Sequence, residues 1–115
     1  MLGIASLGVK AEVLKGHLDL LLLAAVRNEP AHGYAIAETL RGRSDGAFDL
    51  PEGTLYPALH RLEHAGFLSS RWTEVKGRRR RVYQLSAKGQ RALAKQQREW
   101  KDFARAMQAV VESPA

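Results

Sequence analysis

The sequence predicts a mainly α-helical domain with one two-stranded β-hairpin, followed by a long C-terminal helix. Three observations support this fold class. Apolar residues recur at helical spacing in three stretches before residue 66, and two runs rich in strand-forming residues follow them. The chain then continues as an amphipathic stretch from Ala87 to about Val111. A length of 115 residues fits one domain with a modest core.

The first two helices are predicted before residue 42. Residues 1–12 show no apolar periodicity, and we expect them to form a flexible N-terminus. Residues 15–28 are apolar on nearly every side, which predicts the most buried helix of the domain, and Pro30 stops it. A short second helix is predicted over residues 33–41, before a loop that begins with Gly42.

The third predicted helix has one apolar and one polar side. Its apolar stripe is formed at helical spacing by Leu55, Leu59 and Leu62. Its opposite face carries side chains that donate hydrogen bonds or stack, namely Tyr56, Pro57, His60, Arg61 and His64. Gly66 ends the helix. Its start is ambiguous, because Asp49 has the spacing of a capping box with Glu52, whereas Thr54 is an alternative N-cap.

A hairpin and a last helix are predicted after Gly66. The strands cover residues 68–75 and 79–85, and Lys76-Gly77-Arg78 forms the turn between them. The turn belongs to a run of five cations within six residues, 76–81. Ser86 is a good N-cap for the last helix. The large apolar side chains of that helix follow a heptad seam of Leu93, Trp100, Phe103, Met107 and Val110.

This order of elements is typical of a winged helix-turn-helix followed by a dimerising helix. We therefore expect a flexible N-terminus over residues 1–12, a winged helix-turn-helix domain over residues 13–86 and a C-terminal dimerisation helix over residues 87–112. The heptad seam is the predicted dimer interface. The alternative is that the seam folds back on its own domain.

Charge and composition narrow the class of partner. Residues 1–60 carry 5 Lys and Arg against 7 Asp and Glu, whereas residues 61–115 carry 13 against 5. This asymmetry favours a polyanionic partner. The chain has no cysteine, which excludes disulfides and thiolate zinc sites. Its longest apolar run, residues 20–26, is far shorter than the roughly 20 residues that span a bilayer. We expect a cytoplasmic protein with no membrane partner and no cofactor.

Double-stranded DNA is the polyanion that this layout fits. A helix of about four turns enters the major groove, where base edges are distinguishable. Tyr56, His60 and Arg61 lie roughly one turn apart and are candidates to reach bases or phosphates. The cations of the hairpin tip are candidates to contact the backbone. Two simpler interpretations stay open: Tyr56 as a half-buried core residue, and the arginine run as a solvated turn.

Several motifs also carry a family resemblance. They are Leu14-Lys15-Gly16-His17-Leu18-Asp19, His32-Gly33-Tyr34, Gly53-Thr54-Leu55-Tyr56-Pro57-Ala58-Leu59 and Leu85-Ser86-Ala87-Lys88-Gly89. Together with the basic hairpin they closely resemble the PadR family of transcriptional regulators. The match runs from about residue 13 to residue 111. The single C-terminal helix resembles the small subfamily.

The resemblance implies a bacterial repressor that binds a palindromic operator as a homodimer and is often released by a small molecule. By position it implies DNA contacts at the start of the second predicted helix (the supporting helix), in the third predicted helix (the recognition helix) and at the hairpin tip (the wing). The residues are His32, Gly33, Tyr34, Thr54, Tyr56, Pro57, Lys76, Gly77, Arg78, Arg79 and Arg80. It also implies that Trp100 lines a dimer-interface pore for a small aromatic effector. Plain interface packing is the alternative for Trp100.

Two other functions compete with DNA binding. The first is a winged-helix module that docks a protein or RNA through its basic wing. The second is a zinc hydrolase, because residues 60–64 read H-x-x-E-H and a helix puts His60 and His64 on one face, with Glu63 between them. Such a site needs a third protein ligand and a substrate cleft. Against it, Leu62 lies in the apolar stripe, and a chain of this length leaves little room for a cleft.

Overall fold

A computed structural model describes residues 9–114 of the chain. The elements in chain order are α1 (Ala11–Lys15), α2 (Leu18–Ala25), β1 (Ala31–His32), α3 (Gly33–Arg43), α4 (Glu52–His64), β2 (Leu68–Val75), β3 (Arg78–Leu85) and α5 (Ala87–Val111). Helices α2, α3 and α4 and one face of the sheet enclose a single core. The residues that are almost fully buried include Leu22, Leu23, Ile36, Leu55, Leu59, Leu62 and Tyr83.

The first predicted helix corresponds to α2, which begins at Leu18, and a short helix α1 that was not predicted precedes it. α1 ends at Lys15, and the His17 N–H donates to the Leu14 carbonyl oxygen at 2.8 Å before α2 begins. α2 ends at Ala25, earlier than the predicted Asn28. Residues 9–12 also differ from a loose terminus, because the Val9 N–H donates to the Ala47 carbonyl oxygen at 2.9 Å. The prediction of a flexible N-terminus otherwise concerns residues 1–8, which lie outside the described residues.

The sheet has three antiparallel strands, in the order β1-β3-β2, where the sequence predicted two. The additional strand β1 is only two residues long and pairs Ala31 with Tyr83 and His32 with Val82. Such a short strand has no periodicity of its own. It matters for the site because it fastens the start of α3 to the hairpin.

Helix α4 begins differently from both predictions. Its N-cap is Pro51, which has extended backbone angles and makes no side-chain capping bond. Asp49 instead accepts a hydrogen bond from Arg41, and Thr54 lies inside the first turn. Proline suits this position because its φ is already restricted and it has no N–H to satisfy.

The end of α4 is confirmed at Gly66. Gly66 has a φ of +88°, and its N–H donates to the Glu63 carbonyl oxygen at 3.0 Å. The following Phe67 N–H donates to the Leu62 carbonyl oxygen at 2.9 Å. This pair of bonds is a Schellman motif, which turns the chain directly into β2.

The hairpin is tighter than predicted. β3 begins at Arg78, so the turn contains only Lys76 and Gly77. Both have positive φ, 52° and 80°, as a two-residue type I′ turn requires. Trp72 lies opposite Arg81 and Glu74 opposite Arg79 in the ladder. The arginine run therefore lies in a regular strand, with alternate side chains on opposite faces.

Helix α5 follows the prediction closely. It spans Ala87–Val111, and the Gly89 N–H donates to the Ser86 Oγ at 3.0 Å. The Ser86 hydroxyl also donates to the Gly66 carbonyl oxygen, and Lys88 Nζ donates to the Ala65 carbonyl oxygen at 2.8 Å. These bonds tie the start of α5 to the end of α4. The whole arrangement is a winged helix-turn-helix with an added long helix.

Candidate nucleic-acid interface

A groove of about 330 Å³ separates the polar face of α4 from the hairpin. The start of α3 closes one end of it. Nine residues from these three elements line the groove, and all but one of them are aromatic or cationic: His32, Gly33, Tyr56, His60, Trp72, Arg79, Arg80, Arg81 and Tyr83. Six of these nine residues were predicted to contact DNA.

Tyr56 occupies its place in the groove because Gly33 has no side chain. Gly33 is buried, and a Cβ at that position would lie 2.6 Å from the Tyr56 hydroxyl oxygen. Tyr56 itself is half-buried and packs against the core while it borders the groove. Gly33 thus acts on the site through Tyr56, because its own surface is covered. Tyr56 is therefore both a partly buried core residue and a residue of the groove.

His32 caps helix α3. Its Nδ1 accepts a hydrogen bond from the Ala35 N–H at 3.3 Å, which requires an unprotonated Nδ1. Burial lowers the pKa of His32 from its ordinary value of 6.5, and the positive charge of Arg80 lowers it further. Tyr34, which is 58 % exposed, lies nearly parallel to the His32 ring with 6.4 Å between the ring centroids.

The residues predicted on the polar face of α4 differ in their exposure. Pro57 and His60 are exposed, and Thr54 is half-buried in the first turn. His60 also lines the groove. His64 is exposed one turn further along the same face.

Arg61 lies on the other flank of α4 and does not line the groove. Its Nη2 and Nη1 donate to the two carboxylate oxygens of Asp19 on α2, at 2.6 and 3.2 Å. The hydrogen bond to Asp19 raises the pKa of Arg61, against a smaller effect of burial. No local pattern in the sequence indicates this partner, which is 42 residues away. Two of the donors that Arg61 was predicted to direct at DNA are therefore bonded to Asp19.

The wing arginines divide into two faces of β3. Arg79 and Arg81 lie on the same face as Trp72, and their Cζ atoms are 4.9 and 5.5 Å from the centroid of its ring. Arg81 also forms an ion pair with Glu63 of α4 at 3.5 Å. Arg78 and Arg80 alternate with them on the opposite face. Lys76, Gly77, Arg78 and Arg79 are exposed at the tip.

Trp72 was not predicted as a site residue. It is 54 % exposed although it is a large apolar side chain. The sequence indicated Trp72 only as a strand-forming residue, because the side chains that it contacts are not its neighbours in the chain. The signal that identifies it is the hairpin register, which places Trp72 across from Arg81.

The seam of α5 is largely exposed. Trp100, Phe103, Met107 and Val110 are 50, 55, 48 and 78 % exposed. Leu93 is a correction to the predicted dimer interface: it is 5 % exposed and belongs to the core of its own chain. The first residue of the seam therefore packs against its own domain, and the following four are exposed. Trp100 also borders an apolar cavity of about 490 Å³ against α1 and α2.

The zinc-site alternative finds no support in the geometry. Across residues 9–114, no three His, Cys, Asp or Glu side chains cluster closely enough to hold a metal ion. Glu63, which would be the catalytic base, accepts a hydrogen bond from Ser70 and pairs with Arg81. Its carboxylate is used to join α4 to the sheet.

Comparisons with known proteins agree with the class that the fold and groove define, a winged helix-turn-helix regulator. Residues 22–95 match the family described as the PadR-like family of transcriptional regulators. A transcriptional regulator of Mycobacterium tuberculosis is 35 % identical over 82 % of this chain and 85 % of its own length. The chain belongs to the PadR-like family of transcriptional regulators, and it is therefore a regulator and not an enzyme.

Solved structures show the same fold. A transcriptional regulator from Clostridium thermocellum has a TM-score of 0.80 and 27 % identity, over 88 % of this chain and 99 % of its own. A PadR family regulator from Clostridium difficile has a TM-score of 0.71 and 31 % identity, over 80 % of this chain and 95 % of its own. In the part of the chain that the structure describes, no helix is long and apolar enough to cross a membrane.

Proposed function

We propose that this chain is a sequence-specific repressor that binds a palindromic DNA operator as a homodimer. One observation carries the proposal: the exposed face of α4 and the cationic hairpin border the same groove. An α-helix that presents polar side chains fits the major groove, and a cationic wing beside it fits the adjacent phosphates. Membership of the PadR-like family supports the same function.

The proposed DNA contacts fall into two groups. Tyr56, Pro57 and His60 on α4, with Thr54 at its start, face the bases and flanking phosphates. Tyr34 and His32 at the start of α3, together with Lys76, Arg78, Arg79 and Arg80 of the wing, contact the backbone. Phosphate contacts of this kind give a steep salt dependence, with a slope of about −0.9 for each phosphate neutralised.

The homodimer is supported by the exposed apolar face of α5. The side chains of Trp100, Phe103, Met107 and Val110 are about half exposed or more and lie on one side of the helix. Pairing two such faces removes apolar area from water, which favours association. A two-fold dimer presents two copies of α4 to half-sites one helical turn, or a multiple of it, apart.

The test is footprinting on the DNA upstream of this protein's own coding region, followed by titration of a labelled duplex that contains the protected site. The protein should protect an inverted repeat. Replacing Arg78 and Arg79 together by Ala should weaken binding by at least about tenfold, since two phosphate contacts per subunit are lost. Replacing Arg91 and Lys95 of α5 by Ala is the charge-matched control and should have a much smaller effect.

The same titration distinguishes operator binding from the competing function, in which the basic wing binds RNA. If the protein binds the RNA duplex of the same sequence as tightly as the DNA duplex, or binds neither, the operator-binding proposal is wrong. A reporter gene placed behind the protected site tests repression directly. Expression should fall when the protein is present and recover with the Arg78 and Arg79 double variant.

We also propose Trp100 as part of the site for a small aromatic effector. The support is the cavity of about 490 Å³ that Trp100 shares with apolar side chains such as Val13, Leu20 and Phe48. Anilinonaphthalene sulfonate, a planar aromatic probe, should bind the wild-type protein and lose affinity in Trp100→Ala. Equal binding by the two proteins would leave Trp100 with a packing role only.

A further inference from the structure

We propose that Trp72 is a positioning residue for DNA binding: its ring holds the guanidinium of Arg79 at the mouth of the groove with its hydrogen-bond donors free. This inference rests on the proposed function and deepens it. It assigns a role to an exposed tryptophan that neither the sequence motifs nor the family match explains. It also distinguishes Arg79 from the other arginines of the site.

The way in which each arginine is held separates Arg79 from Arg61. Arg61 is held by its edge, since two of its N–H groups donate to Asp19. Arg79 instead lies over the Trp72 ring, with its Cζ 4.9 Å from the ring centroid. This contact is to the π-face and needs no acceptor atom, and the Arg79 side chain donates no hydrogen bond to another described residue, so its N–H donors are available to a phosphate. Among the described residues, Arg79 forms no ion pair, not even with Glu74 across the ladder.

Trp72 is in turn anchored to the recognition helix. Arg81 lies opposite Trp72 in the hairpin, with its Cζ 5.5 Å from the ring centroid. The same Arg81 pairs with Glu63 of α4 at 3.5 Å. A continuous series of contacts therefore runs from α4 through Glu63, Arg81 and Trp72 to Arg79. It sets the distance between the helix that enters the major groove and the cation that meets the backbone.

Positioning matters energetically because arginine is flexible. An unrestrained arginine loses rotamer freedom when a phosphate immobilises it, and this loss opposes binding. An exposed cation–π contact contributes about 0.5–1 kcal/mol toward holding the side chain in place beforehand. Loss of the ring should therefore weaken DNA binding by about two- to fivefold per subunit, and by the square of that factor for a dimer on two half-sites.

The experiment is a double-mutant cycle on a duplex that the wild-type protein binds. Trp72→Leu keeps apolar bulk without an aromatic face, and Arg79→Gln removes the cation. If Trp72 acts through Arg79, Trp72→Leu should have little further effect once Arg79 is Gln. The matched control is Arg78→Gln, a neighbouring arginine on the opposite face of β3. Its effect and that of Trp72→Leu should add.

Two further measurements distinguish positioning from a general structural role. Trp72→Phe keeps an aromatic face and should restore most of the affinity that Trp72→Leu loses. Thermal unfolding should be nearly unchanged in both variants, since the side chain is 54 % exposed. Additivity of Trp72→Leu with Arg79→Gln, or equal losses for Phe and Leu, would overturn the inference. Failure of the wild-type protein to bind any upstream duplex would instead overturn the proposed function.

Discussion

Gly33 affects the groove through the ring that lies against it. A Cβ at this position would overlap the Tyr56 ring, so Gly33→Ala must displace that ring from the groove. We predict that DNA affinity falls by about tenfold or more. The free energy of unfolding should change by less than about 1 kcal/mol, because the preference of a helix for alanine over glycine is of similar size and offsets the cost of displacing the ring. Titration of a labelled operator and urea unfolding measure the two quantities.

The control for this prediction lies in the same helix. A Cβ at Gly42 of α3 would have no neighbouring atom within 4 Å, so Gly42→Ala introduces no overlap. It should leave DNA affinity unchanged and stabilise the protein slightly. Equal affinities for Gly33→Ala and wild type would show that the position of Tyr56 does not matter for binding.

His32 should make the stability of the domain depend on pH. Burial first, and then Arg80, lower its folded-state pKa below the ordinary value of 6.5, so the unfolded chain binds the proton more tightly. The stabilisation is therefore complete above about pH 6.5 and is lost as pH falls through the lower folded-state pKa. Protonation of Nδ1 also removes the acceptor for the Ala35 N–H, and with it the N-cap bond of α3. A lost cap costs about 1 kcal/mol.

The variant His32→Asn isolates this effect, because asparagine is a good N-cap that does not titrate. Urea unfolding at about pH 7.5 and about pH 5 should show a larger loss for the wild-type protein than for His32→Asn. The other titrating groups are common to both proteins and cancel in the comparison. Equal losses would contradict a role for His32.

The contact between α2 and α4 leads to a prediction about Arg61. The pair with Asp19 is solvent-exposed, with side chains 58 and 38 % exposed, so it should contribute only about 0.2–1 kcal/mol to stability. We predict that Arg61→Gln leaves the salt slope of DNA binding unchanged, because Arg61 already pairs with Asp19 and lies on the flank of α4 away from the groove. Arg79→Gln should reduce the slope by about 0.9 per phosphate lost. A comparable reduction for Arg61→Gln would make Arg61 a phosphate contact, as the sequence alone predicts.

The other contacts between elements of the site also join residues that are distant in the sequence. Strand β1 pairs with β3 although the two strands are far apart in the chain, and Glu63 of α4 holds Arg81 of β3. Burial raises the pKa of the Tyr83 hydroxyl, and the charge of Glu63 raises it further. Tyr83 is therefore a neutral core residue at neutral pH, and the groove takes its positive charge from the arginines.

The whole molecule should be a dimer in solution. Phe103→Glu places a carboxylate in the exposed apolar face of α5 and should shift the mass measured by light scattering from two chains toward one. DNA affinity should fall with it, because two half-sites are no longer bound by one particle. Ala109→Glu, an exposed position on the other side of α5, adds the same charge and should remain dimeric. A wild-type protein of one-chain mass at working concentration would contradict the prediction.

Local patterns in the sequence predict most of the elements. Ser86 is recognisable as the cap of α5 because its hydroxyl bonds to a backbone group three residues away. Gly66 is recognisable because a left-handed residue after a helix favours glycine. Helix α1 escapes prediction, since residues 1–12 show no apolar periodicity. The N-cap Pro51 escapes it too, because it works without any side-chain bond.

The sequence by itself determined the class of fold, the polar face of α4, the cationic wing and the apolar seam of α5, since each depends on residues within a turn or a strand of one another. Only the tertiary structure decided which side chains share the groove. Arg61 pairs with Asp19 outside the groove, Gly33 leaves space for the Tyr56 ring beside it, and Trp72 contacts Arg79 at its edge. Each of these contacts joins residues that are not neighbours in the chain, and only the packed fold brings them within reach.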